Sequence, residues 1–367
     1  MKQFILVLTL FSLIAVACAG STPPPSPTAV PFTPESPLPS GQEQEVGGTI
    51  TFVINVHDWV HINESGDILL KLVALFERYN VRGDFYFTAD VTRKLVEERP
   101  EVIERFRNSN MTISYHVRPP HPLYTGFDDR LKNLSDAELY QVLLDYETYA
   151  LDLSSGDLDR SRPGGYTYVA QVFGRNPVVA AAPNNDRRIK DIAQKVYAGL
   201  GAQMTVVYHE EGTKIERPFE YTNGMLIRPS DFSVTRTTLI DGTDNFWWNF
   251  MSKPDTDEYN PTKMLQTQLV DWEGQDNGRA PFITSLIHEN NFCRSGAEAW
   301  SSIYFEMEGS KKGEPLSPPF DLNAPDSSRL RSDADQAAIF SAYEGLVVYA
   351  AEHLTVVTSE DIVEMSK

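Results

Sequence analysis

From Thr49 onward the apolar and polar positions follow two alternating rhythms. Thr49-Ile50-Thr51-Phe52-Val53-Ile54-Asn55 is β-rich and almost continuously apolar, as a parallel strand covered on both faces should be. Ile68, Leu69, Leu72, Val73, Leu75, Phe76 and Tyr79 then recur at helical spacing. Asp84–Phe87 reads as a second strand, Val91–Ser109 as an amphipathic helix interrupted at Pro100, and Met111–His116 as a third strand. After a polar loop the pattern predicts a helix over Asp136–Leu153, then a Gly-rich irregular stretch over 154–175 that ends in a short helical pattern. Further strands are expected at Pro177–Ala182, Met204–Tyr208, Met225–Arg228, Pro281–His288 and Leu354–Thr358. Helices are expected at Arg187–Ala198, Lys263–Trp272 and Asp335–His353, with one more at the C-terminus.

Strands alternating with helices imply an α/β fold on a parallel sheet. With seven or eight strands, a distorted (β/α)7-8 barrel is favoured over an open sheet. No glycine-rich dinucleotide or phosphate loop follows the first strand. No repeat or break in composition divides 49–367, which is read as one catalytic domain.

The first 48 residues follow neither rhythm. Lys2 and the 14-residue apolar run Phe4–Ala17 form a signal peptide over 1–17, too short to span a bilayer. The run ends in Ala15-Val16-Ala17-Cys18, which resembles the lipobox of bacterial lipoproteins; the resemblance implies lipidation at Cys18. Residues 18–48 hold eight of the 24 prolines and read as an extended linker. The expectation is an extracytoplasmic lipoprotein that touches the membrane only through its lipid anchor. Cys293 is then left unpaired, as a buried thiol.

The formal net charge of −19 argues against nucleic acid as a partner, because phosphates would be repelled. The 41% hydrophobic and 23% charged content is that of a folded globular chain. Three of the seven histidines, His57, His116 and His288, stand at the C-terminal ends of expected strands, and His209 is a fourth candidate. Active sites of parallel barrels gather at that face. His116 and His121, with Asp58 on a neighbouring strand, form a set of two imidazoles and a carboxylate. Such a set can bind a divalent metal and leave a position open for water. Zinc suits it first; cobalt, nickel and manganese are also compatible.

At these residues the chain resembles the NodB-type polysaccharide deacetylases, carbohydrate esterase family 4. The resemblance rests on His57-Asp58-Trp59 ending the first strand, Gly83–Thr88, the two histidines after the third strand, and Leu286-Ile287-His288-Glu289-Asn290. It covers 49–125, 177–207 and 281–367. It implies a distorted NodB barrel, metal binding by Asp58, His116 and His121, and His288 as general acid. His57 stands where the family has its base carboxylate. The two histidines are five apart rather than four. The expected arginine-proline motif reads Ala181-Ala182-Pro183, so its arginine is missing, and Arg118 or Arg228 is the candidate replacement.

The implied reaction is removal of N- or O-acetyl groups from an acetylated polysaccharide or cell-wall glycan. His57 is the candidate base; alternatively it only orients Asp58, or it points away and leaves the base role to Asp231. Trp59, Arg118, Arg228, Asp231 and Asn290 are candidates for substrate binding. Trp247-Trp248 reads as groove-lining, Trp300 as core, and His61 as a residue of the cleft mouth. Two other readings are a carbohydrate-binding lipoprotein that has lost activity and, more weakly, a glycoside hydrolase using Asp231 and Glu289.

Overall fold

The computed structural model describes residues 47–206, 218–235, 259–275 and 277–367. Residues 1–46, with the expected signal segment, Cys18 and most of the linker, lie outside the described residues, as do His209 and Trp247-Trp248. Thr49–Val56 (β1), Ile62–Arg78 (α1), Asp84–Phe87 (β2), Ala89–Glu98 (α2), Pro100–Arg107 (α3) and Thr112–His116 (β3) open the fold. The helix expected over Val91–Ser109 is two helices. Proline has no N–H for an interior helical bond, so Pro100 ends the first and opens the second.

Asp136–Tyr146 (α4) starts from a reciprocal cap between Ser135 and Glu138. It ends seven residues before the expected Leu153. Glu147 leaves the helix and caps the next one instead: its carboxylate accepts the Tyr166 N–H and its carbonyl accepts the Thr167 N–H. Tyr149–Leu151 (β4) and Leu158–Pro163 (β5) form a hairpin between α4 and Gly165–Phe173 (α5).

The chain continues through Ala180–Ala181 (β6), Arg187–Leu200 (α6), Met204–Thr205 (β7), Tyr221–Thr222 (β8), Met225–Ile227 (β9), Phe232–Val234 (β10), Pro261–Glu273 (α7) and Phe282–His288 (β11). β6 is shorter than expected because it meets β3 only at Tyr115–Ala180 and His116–Ala181. Arg294–Gly296 (β12), Ser301–Tyr304 (α8), Ser328–Leu330 (β13), Asp333–His353 (α9), Thr355–Val356 (β14) and Ser359–Met365 (α10) complete the fold.

The main sheet runs β10-β11-β1-β2-β3-β6, all parallel, with β14 also on β1. A single parallel bridge, Val179–Met204, carries the curl on to β7 and β9. Among the described residues no ladder joins β9 to β10, so the sheet is a curled half-barrel within an α/β fold, as the alternation of elements implies.

Alternate residues of the strands face opposite ways. Phe52, Ile54, Val56, Phe85, Phe87, Ile113, Tyr115, Ile283 and Ile287 pack outward beneath the helices, against residues such as Leu72, Leu95, Phe106 and Tyr343. Val53, Tyr86, Met204 and Leu226 face inward, where Val357, Ile362 and Val363 of the C-terminal segment fill the space. The lower end is closed by polar contacts too: Asp84 accepts from Ser114 and from the backbone and hydroxyl of Ser359. His57, His116 and His288 share the inward parity but stand at the other end, where Trp300, Ile303, Tyr304 and Phe320 cover the mouth.

Gly165 has φ +55°, and a Cβ there would lie 2.3 Å from the Cα of Glu147. Gly165→Ala is therefore expected to destabilise the fold by about 2–4 kcal/mol through backbone strain and overpacking. The check is the urea-unfolding midpoint at unchanged slope; an unmoved midpoint would show that the turn has room.

Candidate active site

The mouth is assembled by carboxylates gripping backbone. Oε1 of Glu289, just after β11, accepts the N–H groups of His57 (2.9 Å) and Asp58 (2.7 Å), just after β1. Asn291 Oδ1 accepts the His288 N–H at 3.1 Å. The rings of His57 and His288 thereby meet edge to face, with centroids 4.5 Å apart, and His116 lies 5.8 Å from His57. Trp300 closes over His57 at 6.0 Å.

Arg118 reaches into this cluster. Its Nε donates to His57 Nδ1 at 2.6 Å, and its Nη1 donates to the Val117 carbonyl. Guanidinium nitrogens only donate, so Nδ1 is the accepting atom and the proton of neutral His57 sits on Nε2. Burial holds the His57 pKa well below its usual value, helped by the charge on Arg118 and by the neighbouring histidines. Burial and Arg118 act the same way on His116.

His288 is arranged differently. Its Nδ1 lies 2.9 Å from Glu298 Oε1, and Asn290 Nδ2 donates to Glu298 Oε2 at 2.5 Å. Burial raises the Glu298 pKa, but the hydrogen bonds from His288 and Asn290 and the Arg118 charge bring it below its usual range, so it stays ionised. The His288 proton thus sits on Nδ1, and its Nε2 presents a lone pair that has no partner among the described residues. Burial lowers the His288 pKa despite Glu298.

The three expected metal ligands are not brought together. Asp58 Oδ1 accepts the N–H groups of Val60 and His61, both at 3.0 Å, and so serves the entry to α1, whose cap residue His61 makes no side-chain cap of its own. Burial pushes the Asp58 carboxyl up to about 6. His121 Nδ1 accepts the Leu123 N–H at 3.2 Å, so its Nε2 carries the proton and faces Glu147 Oε1 at 3.5 Å. Among the described residues, the set of His, Cys, Asp and Glu with donor atoms all within 4.8 Å of one another is His57, His288 and Glu298.

Two imidazoles and a carboxylate have the composition of a zinc-type site. His288 keeps a free Nε2 lone pair, but His57 turns a protonated nitrogen toward Glu298. A guanidinium is also hydrogen-bonded to the same His57 ring. The residues as placed do not fit a divalent ion.

The other candidates fall in different places. Arg228 donates to the Tyr86 hydroxyl at 2.9 Å inside the barrel, and Tyr86 lies level with Asn55, one inward layer below His57. Asp231 accepts both Arg279 Nη groups at 2.7 Å and the Phe282 N–H at 2.8 Å, at the opposite end of β11 from Glu289. That length of strand is about 20 Å, against the roughly 5–9.5 Å a glycosidase pair needs, so the glycoside hydrolase reading is overturned. Asn290 holds Glu298 rather than facing open space. Trp59 is half-buried between two apolar clusters, and His61 bonds Asp326 at 2.8 Å on the rim. Trp300 is buried in the apolar cover, as its sequence setting implies. Cys293 is a buried free thiol whose pKa burial pushes up to about 12.

A small half-open cleft adjoins the cluster, lined by Thr88, Asp90, Arg93, His116, Arg118, His121, Tyr146 and the backbone of Gly164-Gly165. Asp90, in the first turn of α2, is pushed up to about 6 by burial. Sequence reasoning passed over both Asp90 and Glu298. Asp90 follows a strand end, which was a usable signal. Glu298 lies ten residues past His288 in a stretch without periodicity.

No family model matches the chain, and no curated protein matches it. Among solved structures it is similar to PuuE allantoinase, at 11% identity, covering 87% of this chain and 90% of that one, with a TM-score of 0.47. It is also similar to a Mycobacterium smegmatis protein provisionally described as a polysaccharide deacetylase, at 12% identity, 91% and 94% coverage and a TM-score of 0.45. A third is 4-alpha-glucanotransferase from Thermococcus litoralis, at 11% identity and a TM-score of 0.43; the match covers 86% of this chain but spans only 40% of that one. At such identities the likeness is one of shape, and the chemistry has to be read from the side chains.

Glu289 provides a test of how the mouth is held. Burial and the nearby Asp58 raise its carboxyl from the usual 4.5 to about 8. A carboxyl with a higher pKa folded than unfolded favours the fold while protonated, and that contribution is lost as pH rises toward 8. Wild-type thermal stability should therefore fall between about pH 5 and pH 8, and Glu289→Gln, which keeps the accepting oxygen, should flatten that fall. Parallel melting curves for the two proteins would contradict it.

Proposed function

We propose that the chain is an extracytoplasmic hydrolase that removes acetyl groups from a glycan, with His288 and Glu298 as its proton-handling pair. One observation carries this reading: a buried imidazole is held by an ionised carboxylate at Nδ1 and keeps an Nε2 lone pair with no partner among the described residues. This is the arrangement of a histidine oriented to accept a proton. The sequence resemblance casts His288 as the acid; its lowered pKa makes it first the base. It would take a proton from water as the water attacks the acetyl carbonyl. It would then pass that proton to the leaving amine or alcohol, which cannot depart readily as an anion.

His57 is less suited to the base role, since Arg118 occupies its Nδ1 lone pair. Arg118 Nη2 is buried and has no hydrogen-bond partner among the described residues. It supports the reading as a donor for the negative oxygen of the tetrahedral intermediate. The signal segment, Cys18 and the proline-rich linker support a tethered enzyme facing a cell-envelope polymer. The roles of His288, Glu298 and Arg118 need no metal ion.

A second reading is a carbohydrate-binding lipoprotein that no longer turns over. It is favoured by the dispersal of Asp58, His116 and His121 over separate contacts.

Acetate release from acetylated chito-oligosaccharides and peptidoglycan fragments tests the proposal. The wild type should release acetate, and His288→Ala should lower kcat by about 10²–10⁴-fold. Glu298→Gln should cost about 10–100-fold by freeing the imidazole from its orientation. The acid limb of kcat/KM should lie below pH 6.5, because burial lowers the His288 pKa from that value. Glycan binding with no acetate release would favour the second reading.

A further inference from the structure

Arg118 has an unusual placement for a residue between two candidate metal ligands. It is 7% exposed, and it follows β3 in the run His116-Val117-Arg118-Pro119-Pro120-His121. Its guanidinium is hydrogen-bonded to one histidine of the mouth, and its charge acts on His57, His116, His288 and Glu298 together. It makes no salt bridge among the described residues, and its Nη2 remains unpartnered there. A buried cation without a formal counter-ion is costly unless neighbouring groups compensate it. In this mouth the compensation is shared: His57 Nδ1 accepts from it, and Glu298 is kept ionised beside His288.

We propose that the guanidinium of Arg118 is the resident cation of this site and stands in place of a divalent metal ion. Three arrangements follow from it. His57 is fixed with its proton on Nε2, the atom that would otherwise be a ligand. Asp58 lends its Oδ1 to the α1 turn, with Oδ2 unpartnered among the described residues. His121 faces Glu147 rather than His116. A divalent ion would have to enter against the guanidinium charge at short range in a water-poor pocket, where repulsion is poorly screened. The same cation leaves one donor edge for an anionic oxygen, so the ligand class of this edge is a carboxylate or an oxyanion, such as acetate.

The inference concerns the same mouth as the proposed hydrolase, but its test needs no turnover, so either can fail alone. The full chain is dialysed against Co²⁺ or Zn²⁺, and bound metal is measured by elemental analysis and by the visible spectrum of bound Co²⁺. Arg118→Met removes the charge at similar volume, whereas Arg118→Lys keeps it. Wild type and Arg118→Lys should hold far less than one equivalent. Arg118→Met should bind at least about 100-fold more tightly, and His116→Ala or His57→Ala in that background should abolish the gain. Uptake of one equivalent by the wild type, lost in His116→Ala, would overturn the proposal. So would Arg118→Met, folded by circular dichroism, binding no better than wild type. The wild-type arm keeps the test decisive if Arg118→Met does not fold.

Discussion

The Arg118 guanidinium sets a positive charge against three buried imidazoles. Much of the mouth's arrangement follows from that constraint. The ring bonded to Arg118 must accept at Nδ1, which decides where the proton of His57 sits. All three histidines stay neutral, because each is both desolvated and close to a cation. The negative charge that balances Arg118 is supplied by Glu298, which hydrogen bonds from His288 and Asn290 keep ionised in a place where burial alone would protonate it. Glu298 in turn fixes the tautomer of His288. The two histidines nearest each other, 4.5 Å between centroids, therefore expose opposite faces of imidazole chemistry: a donor edge on His57 and a lone pair on His288.

The position of this cluster is a consequence of strand parity and of how the half-barrel is plugged. Inward-facing residues at the lower end are apolar or, like Asp84, fully engaged, and the C-terminal segment fills the space between them. The upper end has no such plug. Backbone N–H groups at the ends of β1 and β11 need partners there, and Glu289 and Asn291 supply them. Those clamps hold His57 and His288 at neighbouring strand ends, where a one-residue slip of either strand would turn its ring to the helix side.

The long central strands were legible in the sequence because a strand buried on both faces is written as an uninterrupted apolar run. β1, β2, β3 and β11 begin and end within a residue or so of the run. The placement of three histidines at strand ends followed from those boundaries. β6, β7 and β9 are two or three residues long, too short for any period to register. The end of α4 was illegible for a different reason: Glu147 is a good helix former whose carboxylate is drawn away by the exposed N–H groups of α5. The grouping of Asp58, His116 and His121 was a statement about residue types and order. It could not show that Asp58 has two turn N–H groups to satisfy, or that the Arg118 guanidinium donates to His57. Glu298 had no local signal, since its role depends on a cover segment folding back over the sheet.

That cover segment bears on what can reach the site. Glu298 and Trp300 belong to it, and with Tyr304 and Phe320 it seals the mouth from above, leaving His57, His288 and Glu298 no more than 4% exposed. The open approach is lateral, through the cleft beside His116, Arg118 and His121. The cover segment closes the cluster from above, and the C-terminal segment packs the barrel below it. Arg118 lines that cleft and also donates to His57 within the buried cluster, so it joins the two.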